Sequence, residues 1–227
     1  MAREPFAVDE WYHCYSRGVD KKTVFTDASE YARFKHLLYI CNSGTAIHRS
    51  AIANITDGEL YALPRGTPLV SIGAYCLMPN HFHLLLREVR EGGISQFMRT
   101  LGISYAMYFN TKHERVGNLF VKPFRAKRVT NDAYLRRVAQ YIHLNPAELF
   151  APGFKEGRVE DLGSLRTRLA EYEHSSLPDY YGDAAGKGDR AERAILNTEA
   201  FDLIREELPD EKELLLGALL YYQETAR

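Results

Sequence analysis

From Leu69 to Leu86 the chain carries two runs rich in Val, Ile, Leu, Tyr and Phe, interrupted only by Pro79-Asn80. Residues of this kind bounded by a turn-forming pair read as two strands joined by a sharp bend, or as one bent strand. The second run, His81-Phe82-His83-Leu84-Leu85-Leu86, constrains the fold further. At a strand's period of two, His81 and His83 share one face while Phe82 and Leu84 enter the other. The strand therefore needs a packed core on one side and a polar surface or site on the other. Two imidazoles so spaced can grip a divalent cation, or they can simply pack at a sheet surface. A hydrolase that places three histidines on alternate positions does not fit, because the next position is Leu85.

Around this unit, strands and helices interleave. Trp11 to Ser16 reads as a first strand ending at the turn Arg17-Gly18. Thr26-Asp27-Ala28-Ser29 supplies capping oxygens for a helix with Tyr31, Phe34, Leu37 and Leu38 on one face, stopped near Asn42-Ser43-Gly44. Thr45 to Pro68 reads as a long connection or a small inserted hairpin. After Gly92-Gly93, apolar residues from Ile94 to Tyr108 recur three or four apart, predicting an amphipathic helix that ends near Asn110. Residues 117–121 and 124–129 read as short strands or an ordered loop. Thr130-Asn131-Asp132 caps a further helix that Pro146 stops, since a proline disfavours helical geometry in the residue before it.

With few crossover-length units, the pattern predicts an α+β fold rather than a doubly wound sheet. The length of 227 residues, 45% of them hydrophobic, suits one globular domain. The expected organisation is a main domain over residues 1–181, a Gly-rich flexible linker over 182–190 and an acidic helical extension over 191–227. That extension carries two helices, expected to cap the domain. The apolar stretch near Leu214 is too short for a membrane span, and the amino terminus has no apolar signal core. A soluble, cytoplasmic protein is expected. Three scattered cysteines exclude a disulfide framework or a thiolate metal cluster.

A net charge of −1 gives no global sign of a nucleic-acid binder, but the charge is unevenly spread. Between Thr111 and Arg137, eight basic residues face only Glu114 and Asp132, while the segment from Ala191 onward is acidic. Anions are drawn to the first segment. Arg17, Lys122, Arg125, Lys127 and Arg128 are the basic candidates for contact with a polyanion, with Phe120 or Phe124 available to stack on flat rings.

On the helix after Asp132, a rotation of 100° per residue puts Tyr134, Val138, Tyr141 and Asn145 within about 60° of one another. Tyr141 and Asn145 lie one turn apart, with Arg137 at the edge of their face and His143 on the opposite side. Taken alone, Tyr141 is equally readable as a packed aromatic and Asn145 as a helix-end hydrogen bonder.

Taken together, Met78-Pro79-Asn80-His81-Phe82-His83-Leu84-Leu85-Leu86 and Tyr141-Ile142-His143-Leu144-Asn145-Pro146 resemble the REP-associated tyrosine transposases. These are IS200-like relatives within the HUH single-strand nucleases. Tyr12-His13, Ser16-Arg17-Gly18, Val24-Phe25, Tyr105-Ala106, Asn110, Gly117-Asn118-Leu119-Phe120 and Phe124-Arg125-Ala126-Lys127 extend the resemblance to about two thirds of the chain. Asn42 to Pro68 is longer than the family pattern, and the tryptophan usual before Ser175-Ser176 is absent.

The resemblance implies a ferredoxin-like antiparallel sheet with helices on one face, of HUH-nuclease type. It also implies a DNA transesterase that cuts and rejoins single-stranded DNA at hairpin-forming repeats, as in transposition and recombination. His81, His83 and Asn145 would hold Mg²⁺ or Mn²⁺. Tyr141 would attack the phosphate to give a 5'-phosphotyrosine and a free 3'-hydroxyl. The implied partner is single-stranded or hairpin DNA, bound by a monomer or homodimer, with no membrane. The competing readings are a catalytically silent protein of the same fold that binds structured DNA or RNA, and a metal phosphoesterase that activates water.

Overall fold

The central strands pair into one antiparallel sheet over a core that takes Tyr12 and Cys14 from one strand and Phe82, Leu84 and Leu86 from the next, while the basic run Arg125–Val129 joins as an edge. In the computed structural model, which describes residues 5–45, 55–181 and 190–225, β1 (Trp11–Arg17), β2 (Val70–Met78), β3 (His81–Glu88) and β4 (Arg125–Val129) lie in the order β2-β3-β1-β4. All neighbouring pairs are antiparallel. The helices α1 (Ala28–Ile40) and α3 (Gly93–Lys112) supply the two crossovers, which completes a ferredoxin-like α+β core.

Pro79-Asn80 does join two strands, β2 and β3, with Met78 opposite His81. Asp27 caps α1 by accepting from Glu30 N at 3.2 Å. The buried Glu30 carboxylate accepts from Thr26 N at 2.6 Å and pairs with His113 Nε2 at 2.5 Å, tying the start of α1 to the end of α3. On the sheet, Phe82 meets Phe34 of α1 at 4.9 Å, and Phe34 meets Tyr105 of α3 at 4.9 Å. The turn after β1 leaves no room for a side chain at Gly18, where a Cβ would lie 2.3 Å from the Lys22 carbonyl oxygen. Gly18 N donates to Asn80 O at 2.8 Å, locking this turn beside the β2–β3 turn.

The region between α1 and β2 contributes a short helix, α2 (Asp57–Tyr61), closed by a capping box of Thr56 and Glu59. No strand occurs among its described residues, and residues 46–54, on which the hairpin alternative turns, lie outside them. Asn42 fastens its ends: its Oδ1 accepts from Leu69 N and Val70 N, and its Nδ2 donates to Val70 O.

The expected helices on one face are α1 and α3. The other face is covered too. The helix capped by Asn131, α4 (Asp132–Leu144), crosses it, and so does α8 (Thr198–Glu207), whose Ile204 packs so closely on β2 that a Cβ at Gly73 would lie 2.5 Å from its Cδ1. Between them the chain adds α5 (Ala147–Phe150), α6 (Leu162–Ala170) and α7 (Leu177–Tyr181), none of which the periodicity predicts. His174 to Ser176 runs along the outer edge of β2: Leu77 N donates to His174 O at 2.8 Å and Ser176 N to Tyr75 O at 2.9 Å. Of the expected linker 182–190, only Arg190 lies among the described residues.

Phe201 and Ile204 of α8 join the main core, with Phe201 stacked on Tyr180 at 4.4 Å. The last helix, α9 (Glu211–Thr225), packs Leu214, Leu215 and Leu219 against Leu144, Phe154, Leu165 and Leu177 in a second apolar cluster. Among the described residues, no helix is long and apolar enough to cross a membrane.

Candidate active site

Residues directly opposite one another in a sheet share a face. The register therefore builds rows: Cys76, His83, Tyr15 and Arg125 across all four strands, and Met78, His81 and Arg17 in the row nearer the β2–β3 turn. α4 lays Tyr141 over these rows, its ring centroid 5.5 Å from that of His83. Asn145 caps the carboxyl end of α4, its Nδ2 donating to Tyr141 O at 2.8 Å, and its side chain also interacts with His81 and with the Tyr141 phenol. Together with Tyr15, Arg17, Arg125 and Lys155, these residues line a cavity of ≈ 420 Å³. Five of the expected site residues thus meet in one place: His81, His83, Tyr141, Asn145 and Arg17. Arg125 makes a sixth.

The two imidazoles are held by their Nδ1 atoms. That of His81 lies 2.7 Å from Asn80 Oδ1, and that of His83 lies 2.8 Å from His13 Nε2. In the tautomers that donate through Nδ1, both Nε2 atoms keep their lone pairs. Burial is the largest influence on each ring. It holds His81 down at about 4, helped by the charges of Arg17 and Lys155, and holds His83 well below the ordinary histidine range. Both are neutral near pH 7, the form that ligates a metal. Two neutral imidazoles and an amide oxygen fit a divalent ion, and suit Mn²⁺ better than Mg²⁺, which favours oxygen donors. Among the described residues, no three His, Cys, Asp or Glu side chains are grouped to hold a metal, and Asn145 lines the same cavity as His81 and His83.

Tyr141 is 38% exposed. Burial raises its phenol above the ordinary tyrosine range, against the hydrogen-bonding influence of Asn145 and the charge of Arg17. Lys155 adds a second cation, with its Nζ 5.9 Å from the Tyr141 ring centroid. The cavity thus combines a phenol, three neutral ligand atoms and the cations Arg17, Arg125 and Lys155. Such a set suits a phosphodiester, whose charge the cations balance and whose phosphorus the phenol can attack.

The other basic candidates divide. Lys127 stands on the same face as Arg125, opposite His13, and its Nζ lies 5.1 Å from the Tyr134 ring centroid. Arg128 alternates to the other face and bridges Glu10 at 2.7 Å. Lys122 lines a neighbouring cavity with Phe120 and Phe124. His143 is fully buried against Ser176 Oγ at 2.9 Å, away from Tyr141 as its helical position requires.

Sequence reasoning does not find His13, Tyr15 or Lys155 as site residues. The first two share the alternation of Arg17 along β1, a signal that exists once β1 is paired with β3. Lys155 arrives on a short 3-10 turn, Phe154–Glu156, with no periodicity to announce it.

Residues 68–145 match the family model described as "Transposase IS200 like", about a third of the chain. That segment holds His81, His83, Tyr141 and Asn145, and over it the chain is similar to this family. Among solved structures, the chain is similar to a REP-associated tyrosine transposase bound to a REP hairpin, at 13% identity and a TM-score of 0.48, over 85% of this chain and 88% of that one. No curated protein matches the chain significantly.

Proposed function

We propose that this protein is a metal-dependent endonuclease and strand transferase for single-stranded DNA. It cuts at hairpin-forming repeats through a 5'-phosphotyrosine on Tyr141. The observation that carries the reading is the convergence of the Tyr141 phenol, His81, His83 and Asn145 on one cavity lined by Arg17, Arg125 and Lys155. The match of the segment bearing all four to IS200-like transposases supports it.

A divalent ion held by His81, His83 and Asn145 would supply positive charge at the scissile phosphate. The chain's own residues do the rest. Arg17, Arg125 and Lys155 draw in the phosphodiester and balance its charge. The Asn145 amide fixes the end of α4 and so the position of Tyr141. The Tyr141 oxygen, its proton given up to solvent, attacks phosphorus in line, a P–O bond to tyrosine forms, and the bond to the 3'-oxygen breaks, that oxygen taking up a proton to leave as the 3'-hydroxyl. Because the phosphotyrosine conserves the phosphodiester's energy, a 3'-hydroxyl can reverse the step and rejoin strands without ATP. Arg17 and Asn145 favour the phenolate that this attack needs, against the burial that disfavours it.

The test is incubation with labelled hairpin DNAs carrying single-stranded flanks, in Mn²⁺ or Mg²⁺, read on denaturing gels with mass mapping of adducts. A metal-dependent covalent adduct on Tyr141, absent in Tyr141→Phe and in His81→Ala, is expected. Cleavage that persists in Tyr141→Phe indicates water activation instead. Tight binding without cleavage indicates a silent binding protein.

A further inference from the structure

Lys155 reaches the site on a turn that belongs to no strand or long helix, and one carboxylate holds that turn. α4 ends at Asn145, Pro146 opens α5, and Glu148 lies in the first turn of α5. Glu148 Oε1 accepts from Gly153 N at 3.1 Å, and its Oε2 accepts from Lys155 N at 3.2 Å. Both oxygens are thus spent on the backbone at the start of the 3-10 turn Phe154–Glu156, which ties that turn to the chain just beyond Asn145. From the other side the turn is anchored by Phe154, 1% exposed in the apolar cluster with Leu144, Leu214 and Leu215. Gly153, at φ +95°, bends the chain into the turn through a backbone region that residues with a Cβ rarely adopt.

The side chain so placed meets the site. Lys155 lines the cavity with His81, His83, Arg17 and Tyr141, and its charge bears on both imidazoles. The adjacent acid, Glu156, lies 3.8 Å from Arg158 Nη2. Lys155 itself forms no ion pair among the described residues, so its charge is open to an anion in the cavity. Glu148 does not line the cavity. A lysine stem is flexible, and an ammonium whose backbone also swings spends little time where charge develops on a phosphoryl group in the transition state. A fixed backbone removes that second source of freedom, and a carboxylate accepting from two N–H groups fixes it more strongly than a neutral acceptor.

We propose that Glu148 is a positioning residue, which presents Lys155 to the phosphodiester that Tyr141 attacks. The proposal rests on the transesterase reading above and deepens it by a residue that touches neither DNA nor metal. Loosened, Lys155 still balances the charge of a bound phosphate on average, but it stabilises the transition state less. Loss of Glu148 therefore acts on the rate more than on the electrostatics of binding.

The test is a double-mutant cycle on the full chain with Glu148→Ala, Lys155→Met and the two combined. Single-turnover formation of the Tyr141 adduct on hairpin DNA with single-stranded flanks, in Mn²⁺, reports the reaction. Anisotropy in the Tyr141→Phe background, where the DNA stays whole, reports affinity and its salt dependence. Lys155→Met is expected to slow the adduct about 10- to 100-fold and to reduce the slope of log affinity against log salt by about 0.7, one phosphate contact to a single strand. Glu148→Ala is expected to slow the adduct about tenfold with the slope unchanged, and to cost no more than about twofold once Lys155 is methionine. Glu148→Gln, which keeps one accepting oxygen, should fall between Glu148→Ala and the wild type, and its thermal melt should match the wild type. Equal losses from Glu148→Ala in both backgrounds overturn the proposal, as does Lys155→Met with the rate and slope of the wild type. If the wild type binds DNA but forms no adduct, the reaction falls and the cycle is read on affinity. There, a loss from Glu148→Ala that disappears with Lys155→Met keeps the placement of Lys155, and an additive loss, or none, overturns it. No DNA binding at all removes both.

Discussion

Asp179 on α7 offers a sharp test of how the carboxyl-terminal segments are held. Its side chain is 1% exposed, neither carboxylate oxygen has a hydrogen-bond partner, and the nearest cation, Arg190 Nε, stands 3.7 Å away. Burial therefore outweighs the attraction of Arg190 and pushes the carboxyl up to about 6 from an ordinary 3.8. An acid whose folded pKa is raised is most favourable to folding below its unfolded value, where both states are protonated. Its contribution is lost as pH rises through the window from 3.8 to about 6, because the unfolded chain ionises first. About two pKa units at 1.4 kcal/mol each make the ionised carboxylate cost about 3 kcal/mol at neutral pH.

Asp179→Asn removes the charge with little change of shape. Arg190 is not stranded by it, since its guanidinium donates to Ser175 O at 3.2 Å and Glu173 O at 3.1 Å. Urea unfolding followed by circular dichroism from pH 4 to 8 is expected to show the variant more stable than the wild type by up to about 3 kcal/mol above pH 6. The difference should shrink toward zero near pH 4. A variant less stable than the wild type at pH 7, or a difference independent of pH, would refute the reasoning: the Asp179–Arg190 attraction would then exceed the cost of burial.

Gly18→Ala should lower stability by about 1–3 kcal/mol in a thermal melt, as the chain must shift to relieve a Cβ 2.3 Å from Lys22 O. His13→Ala removes the partner that orients His83 at 2.8 Å, so cleavage and metal affinity should fall by about 10- to 100-fold, with DNA binding retained in an anisotropy titration. Phe201→Ala should cost about 3–5 kcal/mol in urea unfolding, because the ring is 3% exposed and stacks on Tyr180. Unchanged stability there would mean that α8 is dispensable to the core.

Local signals in the sequence survive into the structure. The period of two puts His81 and His83 on one face. One helical turn puts Asn145 beneath Tyr141, and the oxygens of Asp27 and Asn131 start the helices expected of them. What sequence reading missed depends on contacts between distant residues. His13 belongs to the site because β1 pairs with β3 in one register, and a shift of a single residue would turn it to the other face. Arg128 looks equivalent to Lys127 in the sequence, yet alternation along β4 sends it to Glu10 instead. The helices α5, α6 and α7 span four, nine and five residues, too short to imprint a helical period against the apolar demands of the cluster they fill.

The way the sheet ends on its two sides governs how the molecule meets its neighbours. Along β2, the segment from His174 to Ser176 occupies backbone groups that another strand would otherwise seek. On the far side β4 is the terminal strand, and among the described residues nothing pairs with its outer edge. Its sequence, Arg-Ala-Lys-Arg-Val, makes that edge a poor template for itself, since two copies meeting there would bring cation against cation. The protein thus keeps one flank closed by its own chain and leaves the other open but repellent to its twin, an arrangement that discourages sheet-to-sheet aggregation while holding a positively charged border beside the cavity.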